Sequence, residues 1–232
     1  WRSGVNLAVT SDEQYLRQYD ISSKDVLENE VFAERFDNRD YAVVRAMAFQ
    51  DVRTSDRRTD QPNILPEAQA RFYGAPGNVL GGRALLDSSF LGLERSDGGD
   101  DMTRLSSALS WQRRDVTSFG LVTTTDVMGR GDIYYAVNRP DNSQTQKNKT
   151  RLFPLGNIMT SYPLTRPVGS DMTMIIEPIV SVTAVPRLDR QSGIPNEDSQ
   201  DGQLDSSNLF NPNRFPGLDR VEDQSRTTYG AR

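Results

Sequence analysis

Between Arg104 and Gln112 the character of the side chain changes at every residue. Leu105, Ser107, Leu109 and Trp111 fall on one side of an extended chain, and Arg104, Ser106, Ala108, Ser110 and Gln112 on the other. A helix would mix these two sets around its circumference, whereas a strand separates them, because its side-chain period is two. The same separation recurs elsewhere. Trp1, Ser3, Val5, Leu7 and Val9 oppose Arg2, Gly4, Asn6 and Ala8, and Phe119, Leu121, Thr123, Thr125 and Val127 oppose Gly120, Val122, Thr124, Asp126 and Met128. Further strands are expected over about Asn29–Phe36, Tyr41–Asp51, Glu67–Tyr73, Leu80–Glu94, Leu152–Tyr162 and Met172–Val185, and from Arg226 onward. That is about ten antiparallel strands, an all-β chain. Pro178 interrupts the apolar run Met174–Val180, and a proline there removes a ladder hydrogen bond, so a bulge or local break is expected at that point.

The connections alternate between two kinds. Tight turns are expected at Asp37–Asp40, Gly74–Asn78, Arg114–Ser118 and Pro163–Ser170. Mostly longer links are expected at Ser11–Glu28, Arg53–Leu65, Ser96–Asp101, Val137–Arg151 and Pro186–Ser225. Short turns on one side and elaborate loops on the other describe a transmembrane β-barrel of the outer-membrane type. Half-buried strands also alternate in a soluble sandwich, which stays open as an alternative.

Charge positions orient the strands. A basic residue on the lipid face at mid-membrane costs about 2–4 kcal/mol, so such residues are expected to face the lumen. Arg45 then points inward, leaving Ala42, Val44, Ala46 and Ala48 outside, with Met47 and Phe49 on the inner side. In the next strands Arg83, Leu85, Asp87, Ser89 and Leu91 face inward, as do Asp126, Arg130, Asp132 and Tyr134. The candidate lumen-facing binding residues are therefore Arg45, Arg83, Asp87, Asp126, Arg130 and Asp132.

Composition removes whole classes of function. The chain has 232 residues with no histidine and no cysteine. This rules out Ser-His-Asp and Cys-His catalysis, His/Cys zinc sites, haem and iron–sulfur ligation, and disulfides within the chain. Carboxylate pairs such as Asp126 with Asp132, or Glu197 with Asp198, lack a pattern that would separate their pKa values. No enzyme, cofactor or metal is expected. A net charge of -5 without a basic stripe argues against nucleic acid. No apolar run is long enough for a membrane-spanning helix, which leaves spanning by strands open. The chain opens without a charged and then apolar leader, and reads as a mature product or an excised piece of something longer.

Small motifs have bland readings. Ser96-Asp97-Gly98-Gly99-Asp100-Asp101 lacks the spaced ligands and closing glutamate of an EF-hand and reads as a solvated turn. Arg130-Gly131-Asp132 lies inside a strand, where it cannot be displayed as an adhesion tripeptide. Asn148-Lys149-Thr150 is a glycosylation acceptor of the kind that arises by chance. The segment Asn208–Asp223 is less ordinary. It sets Leu209, Phe210, Phe215 and Leu218 among Pro212, Pro216 and Gly217, so a loop with apolar anchors is expected to fold back onto the strands. Phe215, Pro216, Gly217, Leu218, Asp219 and Arg220 are the candidate cap motif, with Asp219 and Arg220 expected to tie it to charged walls.

Three stretches carry a family resemblance. The first is Trp1-Arg2 with Ser11-Asp12, Tyr15-Leu16 and Tyr19-Asp20, and the second is Ile176-Glu177-Pro178. The third, and most specific, is Asn208-Leu209-Phe210 followed by Phe215–Val221 and Thr228-Tyr229-Gly230. Together they span the chain and resemble the middle of the barrel domain of the lipopolysaccharide-assembly outer-membrane protein family, LptD (also called OstA or Imp). The resemblance implies that residues 1–232 are barrel wall, with the family's N-terminal jelly-roll, its seam strands and its remaining barrel strands lying outside this sequence. It implies lipopolysaccharide transport and insertion into the outer leaflet of the Gram-negative outer membrane. The implied partners are lipopolysaccharide, an LptE-type plug lipoprotein, outer-membrane lipids, and a periplasmic Lpt bridge reached through the N-terminal domain. Family cysteines that form disulfides have no counterpart here. A passive porin or receptor barrel, and a soluble carbohydrate-binding sandwich, are the alternatives.

Overall fold

A computed structural model of the chain describes all residues except 13, 54–60, 96–99, 139–144, 170, 189–192 and 201–203. Its strands are β1 (Arg2–Asn6), β2 (Val26–Asp37), β3 (Asp40–Asp51), β4 (Asn63–Tyr73), β5 (Arg83–Glu94), β6 (Asp101–Val116), β7 (Val122–Asn138), β8 (Thr145–Ser161), β9 (Leu164–Val168), β10 (Met172–Ile176), β11 (Pro178–Ala184) and β12 (Arg226–Ala231). One short helix, α1 (Tyr15–Gln18), lies in the link between β1 and β2. Ten strands form one sheet in the order β1-β2-β3-β4-β5-β6-β7-β8-β11-β12, and β9 pairs with β10 in a separate two-stranded sheet. The expected all-β, antiparallel architecture of about ten strands is present. The sheet is open among the described residues, with β1 and β12 as its edges.

Alternation sorts the two faces of each strand as period two requires. On β6, Met102, Arg104, Ser106 and Ala108 are buried while Leu105 and Leu109 are exposed. On β7, Arg130, Asp132, Tyr134 and Ala136 are buried while Val127, Ile133 and Tyr135 are exposed. On β8, Arg151, Phe153, Leu155 and Asn157 oppose exposed Leu152 and Ile158, and on β11, Ile179, Ser181 and Thr183 oppose Val180 and Val182. In a water-soluble sheet the charged residues would be outside and the aliphatic ones inside. Here the exposed face is apolar and much of the buried face is polar.

Register carries this sorting from strand to strand. β2 pairs with β3 along its whole length, with Phe32 opposite Arg45, Val31 opposite Ala46, and Asn38 and Arg39 as the turn. Asn38 has φ 57°, a left-handed value that asparagine tolerates better than most residues. Met47 and Phe49 stay on the Arg45 side, opposite Glu30 and Glu28. On β1, Gly4 faces Phe32, where a Cβ would come 2.6 Å from the ring, so the aromatic lies flat on the neighbouring backbone only because that side chain is missing. The β3–β4 register shifts between Arg45 and Met47, a bulge next to the Arg45–Glu67 ion pair.

Several sequence boundaries need correction. The strands grow into the links on both sides, β7 reaching Asn138 and β8 starting at Thr145, so the Val137–Arg151 link is largely strand. Cross-strand pairing stabilises these polar extensions, which hydropathy alone assigns to loop. At the other end one turn is wider than expected and one is displaced. The β4–β5 turn runs over Gly74–Gly82 with a Val79–Gly82 bridge, and Thr117–Leu121 closes β6–β7, further along the chain than expected. The length contrast between the two ends is consequently smaller than expected, and the links over 7–25, 52–62 and 185–225 carry most of it. Pro163–Ser170 is no simple turn, because it contains β9, which continues the hairpin beyond the sheet. The expected break at Pro178 is present. β10 stops at Ile176 and β11 starts at Pro178, with Glu177 between them pairing with Arg232.

The chain forms two compact units. The first comprises Trp1–Phe72, Asp87–Ser107 and Asp132–Thr150, and the second Tyr73–Leu86, Ala108–Gly131 and Arg151–Arg232. The longest loop belongs to the second unit.

Candidate functional site

In the first unit charged and polar side chains are paired across strands, Glu67 and Asp132 buried and Arg71 exposed. Arg45 Nε donates to Glu67 Oε2 at 2.7 Å, and Gln69 donates to the other oxygen of Glu67 at 2.6 Å. Arg71 makes a two-nitrogen contact with Asp87 Oδ2, at 2.8 and 2.5 Å. Ser106 Oγ donates to the buried Asp132 at 2.6 Å. Three of the predicted residues, Arg45, Asp87 and Asp132, are therefore held in structural contacts of this unit. Such pairing lowers the penalty of burying a charge and fixes neighbouring strands in register.

In the second unit a polar chain crosses four strands. Gln112 on β6 donates to Asp126 Oδ1 at 2.7 Å, and Asn157 on β8 donates to Asp126 Oδ2 at 3.1 Å. The amide oxygen of Asn157 in turn accepts from Ser181 at 2.8 Å and Thr183 at 3.0 Å on β11. Each residue sits on the same face because the period-two rule places it there, and each strand is offset so that the amides and hydroxyls meet. Gln112, Asp126 and Asn157 line a cavity of about 720 Å³, to which Tyr73, Arg83, Glu177 and Phe210 also contribute. Of the predicted residues, Arg83 and Asp126 share this cavity.

Arg130 has a different role. The loop between β11 and β12 folds inward, and its Leu218 and Asp219 carbonyls accept from wall arginines. Arg130 Nη2 donates to Leu218 O at 2.9 Å, and Arg151 donates to Asp219 O at 2.6 Å and Leu218 O at 2.5 Å. Val221 is 1% exposed and joins Phe153 and Leu155 in a small apolar core, with Met128, Val185 and Leu188 around it. Arg130 also lies over the Phe153 ring at 5.7 Å. The wall arginines thus grip the main chain of the cap motif at Leu218 and Asp219.

The Asp219 carboxylate holds the loop to itself. Its Oδ2 accepts from the backbone N–H groups of Glu197 and Asp198 at 2.7 and 3.1 Å. Reciprocally, Asp198 Oδ1 accepts from the N–H groups of Leu218 and Asp219, both at 3.0 Å, and Ser199 Oγ accepts from Arg220 N–H at 3.0 Å. Gly217 makes the close approach possible. Its φ is 79°, and a Cβ there would come 2.5 Å from the Asp198 carbonyl oxygen. Phe215 and Leu218 are half-buried, while Pro216, Gly217 and Arg220 are exposed.

A second clamp closes the base of the loop. Arg214 donates through two nitrogens to Glu222, at 2.8 and 2.5 Å, and Asn213 Oδ1 accepts from Glu222 N–H at 3.1 Å. Arg226 lies 3.5 Å from Glu222 and donates to the Asn211 and Pro212 carbonyls. The Arg214 hydrogen bond, against the opposing effect of burial, holds the Glu222 carboxyl below its ordinary value of 4.5. Phe210 reaches Gly230 on β12, where a glycine Cβ position lies 3.3 Å from the ring, so the loop lines the cavity well below its own attachment points.

Sequence reasoning missed Glu67, Arg104, Arg151, Asn157, Ser181 and Thr183 as buried polar residues. Arg104 and Arg151 are basic residues within strands, the same signal that orients Arg45; Glu67 shares the parity of Arg71 and Asn157 that of Arg151, while Ser181 and Thr183 lie on a strand with no charge to orient it. Of the calcium-like stretch 96–101, residues 96–99 lie outside the described residues, and Asp101 Oδ1 accepts from the Arg95 N–H at 2.9 Å. Arg130-Gly131-Asp132 is inside β7, with both charged residues buried, and Asn148, Lys149 and Thr150 are exposed on β8. Among the described residues no cluster of three or more carboxylates suited to a metal ion is found.

Comparison with known proteins places the chain. Residues 1–232 match the family described as LptD, LPS transport system D. An LPS-assembly protein LptD from Pseudomonas entomophila (strain L48) is 28% identical over 201 residues, covering 80% of this chain and 21% of that protein. Another, from Thiobacillus denitrificans (strain ATCC 25259 / T1), is 28% identical over 242 residues, covering 98% of this chain and 31% of that protein. The chain thus spans about a fifth to a third of these relatives. With a polar buried face, an apolar exposed face and an inward-folded loop bearing Phe215–Val221, matched along its whole length, the chain belongs to the LptD family.

Proposed function

We propose that these 232 residues form a section of the wall and an inward loop of a Gram-negative outer-membrane barrel that carries lipopolysaccharide to the outer leaflet. The exposed band of Leu105, Leu109, Val127, Ile133, Leu152, Ile158, Val180 and Val182 meets lipid. The buried face borders the lumen, which the saccharide headgroup traverses. Residues 1–232 are barrel domain throughout, and an LptE-type plug lipoprotein and a periplasmic Lpt bridge act with the complete protein. No bond is made or broken by this section, and the energy for transport enters elsewhere.

The observation that carries the reading is the Gln112–Asp126–Asn157–Ser181/Thr183 chain beside the 720 Å³ cavity, opposite an apolar band, in a chain of this family. Amide, carboxylate and hydroxyl groups of this kind exchange hydrogen bonds with sugar hydroxyls without a deep energy well, as passage requires. Arg83 and Asp126 are the residues we assign to the path, while Arg45, Asp87, Arg130 and Asp132 support wall and loop. A photo-crosslinking side chain at Asp126 in the full-length protein is expected to give a lipopolysaccharide adduct in cells. A correctly assembled barrel without that adduct would instead favour a passive pore.

A further inference from the structure

Beyond the main sheet, the β9–β10 hairpin exposes an unusual amount of apolar surface. Its cross-strand pairs are Met172 with Val168, Met174 with Arg166, and Ile176 with Leu164 on one face, and Thr173 with Pro167 and Ile175 with Thr165 on the other. Every residue of both strands is exposed, Met172 at 67% and Ile175 at 60%. The first face consists of five apolar side chains and Arg166, with no acidic group. A patch of this kind on a free sheet face marks a surface that meets lipid or another protein.

The strand alternation decides between these. Glu177 alone separates β10 from β11, and it stays in the ladder by exchanging backbone hydrogen bonds with Arg232 at 2.8 and 3.1 Å. The chain remains extended through it, so Met172, Met174 and Ile176 keep the side occupied further along by Val180 and Val182. On the other limb, Leu164 and Val168 keep the parity of Leu152 and Ile158 on β8. The apolar face of the hairpin is therefore a continuation of the lipid-facing band rather than a new surface. An arginine amid that face suits an interface, where its aliphatic stem covers apolar surface and its head reaches a phosphate.

We infer that the β9–β10 hairpin is a membrane-interface anchor, which lays Leu164, Val168, Met172, Met174 and Ile176 into the phospholipid leaflet at the short-turn end of the barrel, with Arg166 at its headgroups. This rests on the barrel reading given above, and one control tests that reading separately. The full-length protein, reconstituted in vesicles of phosphatidylethanolamine and phosphatidylglycerol, would carry bimane on a cysteine introduced as Met174→Cys, Thr173→Cys or Val180→Cys, with the signal of the unsubstituted protein subtracted. Lipids brominated on their acyl chains are expected to quench the Met174 probe as fully as the Val180 probe and to leave the Thr173 probe bright. Arg166→Glu should reduce quenching at Met174 and leave it unchanged at Val180. Quenching at Val180 with a bright Met174 probe would overturn the anchor and leave the barrel standing. A Met174 probe shielded from both brominated lipid and aqueous iodide would overturn it in favour of a protein partner, and absence of quenching at Val180 would overturn the barrel reading as well.

Discussion

Gly217 shows how one missing side chain holds a loop together. Its positive φ and the 2.5 Å approach of the Asp198 carbonyl allow Asp198 and Asp219 to cap each other's backbone. Gly217→Ala is expected to destabilise the loop by about 1–3 kcal/mol, seen as faster proteolysis between β11 and β12 with an intact barrel. Arg151→Met removes the donors to Leu218 and Asp219, leaving buried carbonyls without those partners. A loss of about 1–3 kcal/mol is expected there, measured as earlier amide exchange around Val221. Glu222 supplies a pH test. Its folded pKa is depressed, so its contribution is fully present above the ordinary value of 4.5 and is lost as the pH falls through the lower folded value. Protection of Asn213–Arg226 from amide exchange should therefore hold at neutral pH and decline below about pH 4.5, and Glu222→Gln should remove that acid-dependent step.

At the scale of the element, alternation explains why these strands form and where their faces point. The inward orientation expected of Arg45, Asp126, Arg130 and Asp132 follows from parity and from the desolvation of charge, both local properties of the sequence. What each residue touches does not follow from parity. Asp126 meets Gln112 and Asn157 because β6, β7 and β8 take one particular offset, and a shift by two residues would keep every face and break every contact. Strand ends escape the sequence for a related reason. Asp101–Thr103 and Thr145–Thr150 have the composition of loops, and only a paired neighbour makes them strand. β6, β7 and β8, at 16 or 17 residues, also exceed the 9–11 needed to cross a bilayer, so their ends project beyond the hydrocarbon.

For the whole molecule, the open edges matter most. β1 and β12 each present an unpaired ladder among the described residues, and exposed edges pair with other chains. The 232 residues produced alone in detergent are expected to associate or aggregate, whereas the full-length protein should give one heat-modifiable band. A stable compact monomer of the fragment would show that its edges are closed by other means. The amino-acid sequence by itself determined the all-β class, the sorting of strand faces, the absence of histidine and cysteine chemistry, the break at Pro178 and the family, since each depends on residue identity and near-neighbour spacing. It also marked Asn208–Asp223 as a loop with anchors. Only the tertiary structure decided that Arg130 and Arg151 grip the backbone of that loop, that Asp219 and Asp198 cap each other's backbone, and that the β9–β10 hairpin runs on past the sheet. Those outcomes depend on register and on residues up to 88 positions apart meeting in space, which period and composition do not encode.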